Sequence, residues 1–495
     1  MNYISTRDKQ VRRTASEAIL QGISAEGGLF IPEEFPRVDL DFIGGLCGLP
    51  YHERARRIMA LYLDDFSAED LQACTEGAYL GTFEEDCPAP VRRVGEMNLL
   101  ELWHGPTYAF KDMALQMLPR LVSAARRNLG DDREAVVLVA TSGDTGKAAL
   151  EGFRDVEGTG IVVFYPVDGV SQIQRLQMAT QRGENVAVQA VEGNFDDCQT
   201  GVKRIFADSR FADRLAEQGR YLTSANSINW GRLLPQIVYY FSAYADLVSA
   251  GELRLGEKLN VSVPTGNFGN ILACYYAGRM GLPVGKLICA SNRNDVLTQF
   301  LTTGSYDRRR EFHLTNTPSM DILISSNLER FLFHLFGEND RAVSYCMYRL
   351  NEGGEYSVTA EALDRIREEF AAYSCDDAET LETIRRLHYS TGYVMDPHTA
   401  VAVNAYEQYR AETGDEGKVL IVSTASPFKF ADSVLTALRE EVPDSEFDCL
   451  AKLAACSSLA VPASLAELSH LPVRFQGAVR PQEMERAVAR ALEQR

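Results

Sequence analysis

No stretch of 18 or more apolar residues occurs in the chain, and its start, MNYISTRDKQVRR, has charges with no apolar stretch behind them. The first absence argues against a membrane-spanning helix, and the second gives no secretory leader pattern, so the expected location is the cytoplasm. No Lys/Arg run forms a basic tail either. With 50 Lys and Arg against 69 Asp and Glu, the formal net charge is −19, a field that repels nucleic acid and anionic membrane. A small anion is still an acceptable ligand, because backbone N–H groups and a few cations can hold a phosphate against an unfavourable global charge. The ten cysteines lie between Cys47 and Cys456 without a C-x-x-C pair, and a chain this large has no need of disulfide staples. They read as reduced core residues, and no metal site is expected. Internal repeats and low-complexity tracts are also missing.

What is present is ordinary globular material, 45% hydrophobic and 24% charged, in 495 residues. Single cores stop growing near roughly 250 to 300 residues, so two or three packed units are expected. Residues 1–95 mix short helical patterns with turn signals at Glu26-Gly27-Gly28 and Pro32 and end in Cys87-Pro88-Ala89-Pro90, which reads as an N-terminal cap. From Ala135 onward, short apolar runs alternate with amphipathic stretches. The runs Ala135–Ala140, Ile161–Tyr165, Val186–Val191, Leu259–Val263, Leu287–Ala290 and Val419–Val422 are short and β-branched. The pattern predicts an α/β fold with mostly parallel, twisted sheets flanked by helices. The core is expected over 96–325, a mainly helical lobe without strands over 326–415, and a return to the core with a C-terminal segment over 416–495.

In open parallel sheets ligands bind beyond the carboxyl ends of the strands, where loops run into helix N-termini. Three such loops are polar and glycine-rich: Thr141-Ser142-Gly143-Asp144-Thr145-Gly146, Thr265-Gly266-Asn267-Phe268-Gly269-Asn270 and Thr424-Ala425-Ser426-Pro427. All three are expected to face one crevice. The loop at Gly266–Asn270 reads either as an anion site, its glycines permitting close backbone approach, or as a plain strand-to-helix turn. The segment 142–147 is not a nucleotide P-loop, which needs Gly and Ser/Thr where this chain has Thr141 and Ala148. It offers hydroxyls and N–H groups for a carboxylate, or simply an N-cap at Asp144. In Glu101-Leu102-Trp103-His104-Gly105-Pro106-Thr107-Tyr108-Ala109-Phe110-Lys111-Asp112, a lysine stands just before a helix in an apolar stretch. Desolvation there would lower its pKa and free a neutral amine for an imine.

Several blocks occur in a specific order: Ser5-Thr6-Arg7, Gly27-Gly28-Leu29-Phe30-Ile31-Pro32, His104-Gly105-Pro106-Thr107 through Phe110-Lys111-Asp112, and Ser142-Gly143-Asp144-Thr145-Gly146. Downstream come Asn194-Phe195-Asp196-Asp197-Cys198-Gln199, Asn226-Ser227-Ile228-Asn229-Trp230, Pro264 through Asn270, and Ala290-Ser291-Asn292-Arg293-Asn294-Asp295. Over nearly its whole length the sequence resembles the threonine synthases of the longer bacterial and fungal type, within the fold-type II (tryptophan synthase β-like) pyridoxal-phosphate enzymes. The resemblance implies pyridoxal 5'-phosphate as cofactor, O-phospho-L-homoserine as substrate, and threonine and phosphate as products. It implies Lys111 as the cofactor-bonded catalytic lysine. Gly266, Asn267, Phe268, Gly269 and Asn270 would form the cofactor-phosphate loop, and Thr424 would be the partner of the pyridine nitrogen. For the substrate, Ser142, Gly143, Asp144 and Thr145 are assigned to the carboxylate end, and Ser171, Asn226, Asn229 and Arg232 to the phosphate. The stretch Asn226–Arg232 could equally cap the helix beginning near Trp230. The chain is expected to act as a monomer or homodimer.

Two departures stand out. Where the family pattern has Thr-Ala-His-Pro-Ala-Lys-Phe, this chain reads Thr424-Ala425-Ser426-Pro427-Phe428-Lys429-Phe430, losing an imidazole and gaining a ring. Pro119 falls inside the helix expected after Lys111 and should kink it, at about 3 kcal/mol if uncompensated. Two rival readings stay open: a deaminating or β-replacing relative with the same cofactor, and a catalytically retired protein that binds cofactor or a phosphorylated metabolite.

Overall fold

All six apolar runs form strands in the structure, a computed structural model that describes residues 1–141, 143–168, 170–457 and 459–493. They divide between two sheets. One holds six strands in the order Phe370–Ser374, Val284–Ser291, Leu259–Pro264, Val419–Ser423, Met97–Glu101 and Val91–Val94, parallel except for the last pair. Its three central strands, Leu259–Pro264, Val419–Ser423 and Met97–Glu101, are buried at every residue, as expected of a parallel sheet covered on both faces. The other sheet has five parallel strands in the order Ala478–Val479, Val186–Val191, Thr159–Pro166, Glu134–Ala140 and Arg220–Thr223. The helix Trp230–Ser249 is apolar around most of its circumference and packs against the helices Lys111–Leu115, Tyr51–Met59 and Gly269–Met280.

The N-terminal region contributes a three-stranded antiparallel sheet, with Tyr3–Ser5 between Arg12–Arg13 and Phe30–Pro32, and several helices. Among the described residues no helix is long and apolar enough to cross a membrane. All ten cysteines are free thiols, seven of them buried.

Two expectations need correction. Strands do not stop between 325 and 415. Phe370–Ser374 extends the six-stranded sheet alongside Val284–Ser291, and Glu355–Ser357 pairs with Ser305–Asp307. The first was hidden because it follows the helix Ala360–Glu369 without a turn residue between them, so helical spacing reads straight through it. The helix after Lys111 is also not continuous. It ends at Leu115 and a second begins at Leu118, which puts Pro119 in a first turn where its missing N–H costs nothing. At the break, a Cβ on Gly152 would stand 1.9 Å from the Leu115 carbonyl oxygen, so glycine lets the helix Asp144–Phe153 close onto the Lys111 helix.

Candidate active site

The strand Met97–Glu101 runs into the loop that delivers Lys111 to the first position of its helix. Phe110 N donates to Thr424 O at 2.8 Å and Ser426 N to Tyr108 O at 3.0 Å, so this loop is sewn to the one after Val419–Ser423. Inside it, Thr107 N and Oγ1 donate to the two oxygens of Asp112 at 2.8 and 2.7 Å. Asp112 lies against Gly105, where a Cβ would come within 2.6 Å of it. Burial pushes the Asp112 carboxyl up to about 6 against the opposing pull of the Thr107 bonds. Lys111 is lowered from the ordinary lysine range, first by burial, with Lys429 and Arg232 adding to it and Asp144 opposing. The site thus shifts the balance toward the neutral amine.

Asp144 comes from the other sheet, at the start of the helix after Glu134–Ala140, yet lies 3.9 Å from Lys111 Nζ. Lys429 Nζ bonds its Oδ1 at 2.8 Å and also donates to Thr107 O at 3.0 Å. Burial alone would raise the Asp144 carboxyl. Lys429 and Lys111 outweigh it and hold the group at about 2. The carboxyl ends of the two sheets therefore meet at one buried Lys111–Asp144–Lys429 cluster.

The third loop reaches the same place. Ser319 packs over Gly266, where a Cβ would be 2.9 Å from the Ser319 carbonyl oxygen, and Ser319 N donates to His398 Nε2 at 3.2 Å. His398 Nδ1 then carries the proton and donates to Asp396 at 2.9 Å, while its ring stacks obliquely on Phe430 at 4.8 Å. Within the loop Phe268 takes a left-handed conformation, φ 61°, and the helix Gly269–Met280 begins with no side-chain cap. Its first N–H groups are open to an anion. Asn270 has its Oδ1 held by the hydroxyls of Tyr239 and Tyr240, both at 2.6 Å, which fixes the amide and leaves buried Nδ2 without a partner. An orphaned donor beside an uncapped helix start fits a phosphorylated cofactor, and the Thr424 hydroxyl makes no hydrogen bond among the described residues.

The residues assigned to the substrate fare unevenly. Ser142 lies outside the described residues. Gly143 N is taken by Thr141 Oγ1 at 3.0 Å, so it does not offer its N–H to a carboxylate, whereas the Thr145 hydroxyl is uncommitted. Ser171 is an exposed N-cap whose hydroxyl accepts from Gln174 N, and Gln174 in turn approaches Asp144 at 3.5 Å. Asn229 caps the helix Trp230–Ser249 through Gly231 N at 2.8 Å and ties it to Ile19 O at 2.9 Å. For Asn229 the capping alternative describes what the side chain does, and both ends of its amide are engaged. Asn226 is exposed. Arg232 is different: it is 4% exposed, donates to Ala225 O, leaves Nε unpartnered and meets no carboxylate. Burial pushes its guanidinium down to about 10, so it stays a cation in want of an anion.

Three functional partners went unread in the sequence: Lys429 as the clamp on Asp144, and the Asp396–His398 pair. The signal for the pair was an Asp-Pro-His run at a helix start, which the structure shows as Asp396 capping Pro397–Thr413. Ser426 and Phe428 line a separate cavity of about 370 Å³ behind the Lys111 loop, with Trp103 and His104. An imidazole thus remains beside the position where the family pattern has its own.

Comparisons with known proteins agree along the chain. A family model described as threonine synthase N terminus matches residues 2–79, one for pyridoxal-phosphate dependent enzymes matches 99–425, and one for the threonine synthase C-terminal region matches 399–489. Threonine synthase of Pseudomonas aeruginosa is 42% identical over 439 residues, 88% of this chain and 90% of its own length. Human threonine synthase-like 1 is 41% identical over 456 residues, again 88% of this chain, but the match spans only 61% of that longer protein. The crystal structure of pyridoxal-phosphate-bound threonine synthase from Brucella melitensis superposes with a TM-score of 0.88 at 36% identity, covering 99% of each chain.

Proposed function

We propose that this chain, which belongs to the threonine synthase family of pyridoxal-phosphate-dependent enzymes, converts O-phospho-L-homoserine and water to L-threonine and inorganic phosphate. The observation that carries the reading is the buried Lys111 amine, lowered from its ordinary range and set 3.9 Å from Asp144 where the two sheets meet. Gly266–Asn270, with the open helix start and Asn270 Nδ2, would hold the cofactor phosphate. The Thr424 hydroxyl would face the ring nitrogen, and unlike a carboxylate it would not keep that nitrogen protonated. Bound pyridoxal phosphate supplies an electron sink for charge that develops on substrate carbons.

The chain's own groups then divide the work. Lys111 would hold the cofactor, and its amine, when free, would carry protons between the substrate's α-, β- and γ-carbons. Phosphate leaves the γ-carbon, and water later adds at the β-carbon. Lys429 and Arg232 place cationic groups beside Asp144 and Asp112 in an acidic protein, which suits a substrate bearing a carboxylate and a phosphate. The Thr145 hydroxyl, at the start of the helix Asp144–Phe153, would receive the carboxylate. Arg232 would receive the phosphate, with Asn226 and Ser171 at its rim. Residues 1–95 would serve as a cap and 326–415 as a lobe beside the cofactor loop. Every group named here comes from one chain, which suits a monomer or a homodimer in the cytoplasm.

Purified chain loaded with pyridoxal phosphate should release threonine and phosphate in equal amounts from O-phosphohomoserine. Lys111→Ala should lose this by roughly a thousandfold or more. The retired reading draws on Ser426 and Phe428, which depart from the family pattern next to Thr424. It predicts an absorbance band for bound cofactor with no phosphate release, and that result would replace the present one.

A further inference from the structure

Arg330 is fully buried, at 0% exposure, and no carboxylate bonds it. Its guanidinium joins three stretches of chain that are remote in sequence. Nε and Nη2 donate to Phe30 O at 3.0 and 2.8 Å, Nη2 also to Ile228 O at 2.6 Å, and Nη1 to Asn327 Oδ1 at 2.6 Å. Asn327 passes the constraint on. Its backbone N and its Nδ2 both donate to Asn267 O at 3.1 Å, and Nδ2 also approaches Ser227 Oγ at 3.4 Å.

The helix that carries Arg330 is itself held from the N-terminal region. Arg7 grips Glu329 with two bonds, at 2.9 and 2.7 Å, and Thr6 Oγ1 adds a third at 2.5 Å. Burying a guanidinium costs several kcal/mol, and an apolar side chain could fill the same space. What an apolar side chain cannot do is fix two backbone carbonyls and one side-chain amide at once.

We propose that Arg330 is a positioning residue that sets the cofactor-phosphate loop, through Asn327 and the Asn267 carbonyl, against the 226–232 segment that presents Arg232. With the Asn267 carbonyl held on the Asn327 side and Phe268 turned left-handed, the first N–H groups of Gly269–Met280 stay directed away from internal acceptors. The same guanidinium fixes Ile228, four residues before Arg232, so one side chain sets the spacing between two anion sites. The Thr6-Arg7 and Phe30 segments gain a function at the site although they never enter it. The inference rests on reading Gly266–Asn270 as the cofactor-phosphate loop.

The test uses the full chain as wild type, Arg330→Lys and Asn327→Ala. It measures the dissociation constant for pyridoxal phosphate by absorbance titration of the apoprotein, apoprotein melting, and kcat and KM for O-phosphohomoserine. Both variants should weaken cofactor binding at least tenfold, and Arg330→Lys should also raise KM at least tenfold with kcat reduced less than threefold. If Arg330→Lys does not fold, Asn327→Ala decides through cofactor affinity. Melting temperatures that fall while affinity and KM stay within twofold of wild type would overturn this inference alone. A wild-type chain that binds no pyridoxal phosphate would overturn the site reading and this inference with it.

Discussion

The two sheets build their shares of the crevice differently. On the six-stranded side, most loop residues are buried and braced by their neighbours, although Asn267 is exposed. Thr265, Phe268, Gly269, Asn270, Thr424 and Ser426 are all buried, and Asn327, Ser325 and Ser319 hold the Gly266–Asn270 turn from outside. On the five-stranded side, Val167, Asp168, Ser171, Asn194 and Asn226 are exposed, and their polar groups mostly cap the helices that follow them. Backbone bonds that are dry and mutually supported hold geometry better than exposed turns. This contrast fits a division in which the six-stranded side keeps a resident cofactor and the five-stranded side admits and releases substrate. Asp144 is the exception that proves informative: it belongs to the exposed side, but Lys429 pulls it into the dry cluster on the other.

The sharpest way to break the comparison is Arg232→Gln. If the buried, unpartnered guanidinium is the phosphate receptor, KM for O-phosphohomoserine should rise about a hundredfold while cofactor affinity holds, as loss of a charge-assisted contact to a buried anion implies. Steady-state kinetics beside a cofactor titration would separate the two. Equal weakening of both would merge the two sides into one unit.

The next largest effect concerns the Asp144 bridge. Lys429 lowers the Lys111 amine by repulsion and also competes for Asp144, so Lys429→Met should raise the Lys111 pKa on both counts. The acid limb of the kcat profile should move to higher pH, since the amine set free when substrate binds must lose its proton to act as a base. In the wild-type chain Asp144, held near 2, stays ionised across that range. A profile that does not move would mean that the bridge is structural only. The smallest effect is expected for Ser171→Ala. Its hydroxyl is spent on Gln174 N, so stability should fall by about 1 kcal/mol, as for a lost N-cap, with kcat/KM within threefold of wild type.

These differences also mark what could be read in the sequence. Short β-branched runs announced the six strands because buried parallel strands need no alternation, and glycine-bearing loops after them announced the crevice. The reading of Lys111 and the Gly266–Asn270 loop drew on an apolar stretch around a lysine and on glycines after a strand, and took its roles from the family resemblance. The Phe370–Ser374 strand was not, since an edge strand abutting a helix keeps the helix's apolar rhythm. Nor were the pairings of Lys429 with Asp144 and of Arg330 with Phe30, which join residues far apart in the chain and have no local pattern. Ser171 and Asn229 illustrate the converse. A polar residue ahead of a helix reads the same whether it meets a ligand or a backbone N–H, and the structure assigns both to backbone N–H groups.

If Lys111-dependent chemistry breaks the bond between the γ-carbon and oxygen, with water entering at the β-carbon, solvent oxygen reaches only one product. Turnover of O-phosphohomoserine in ¹⁸O-labelled water, followed by mass spectrometry of both products, should then give one labelled oxygen in the threonine hydroxyl and none in the phosphate. Label in the phosphate, with homoserine as the other product, would show cleavage at phosphorus and contradict that route.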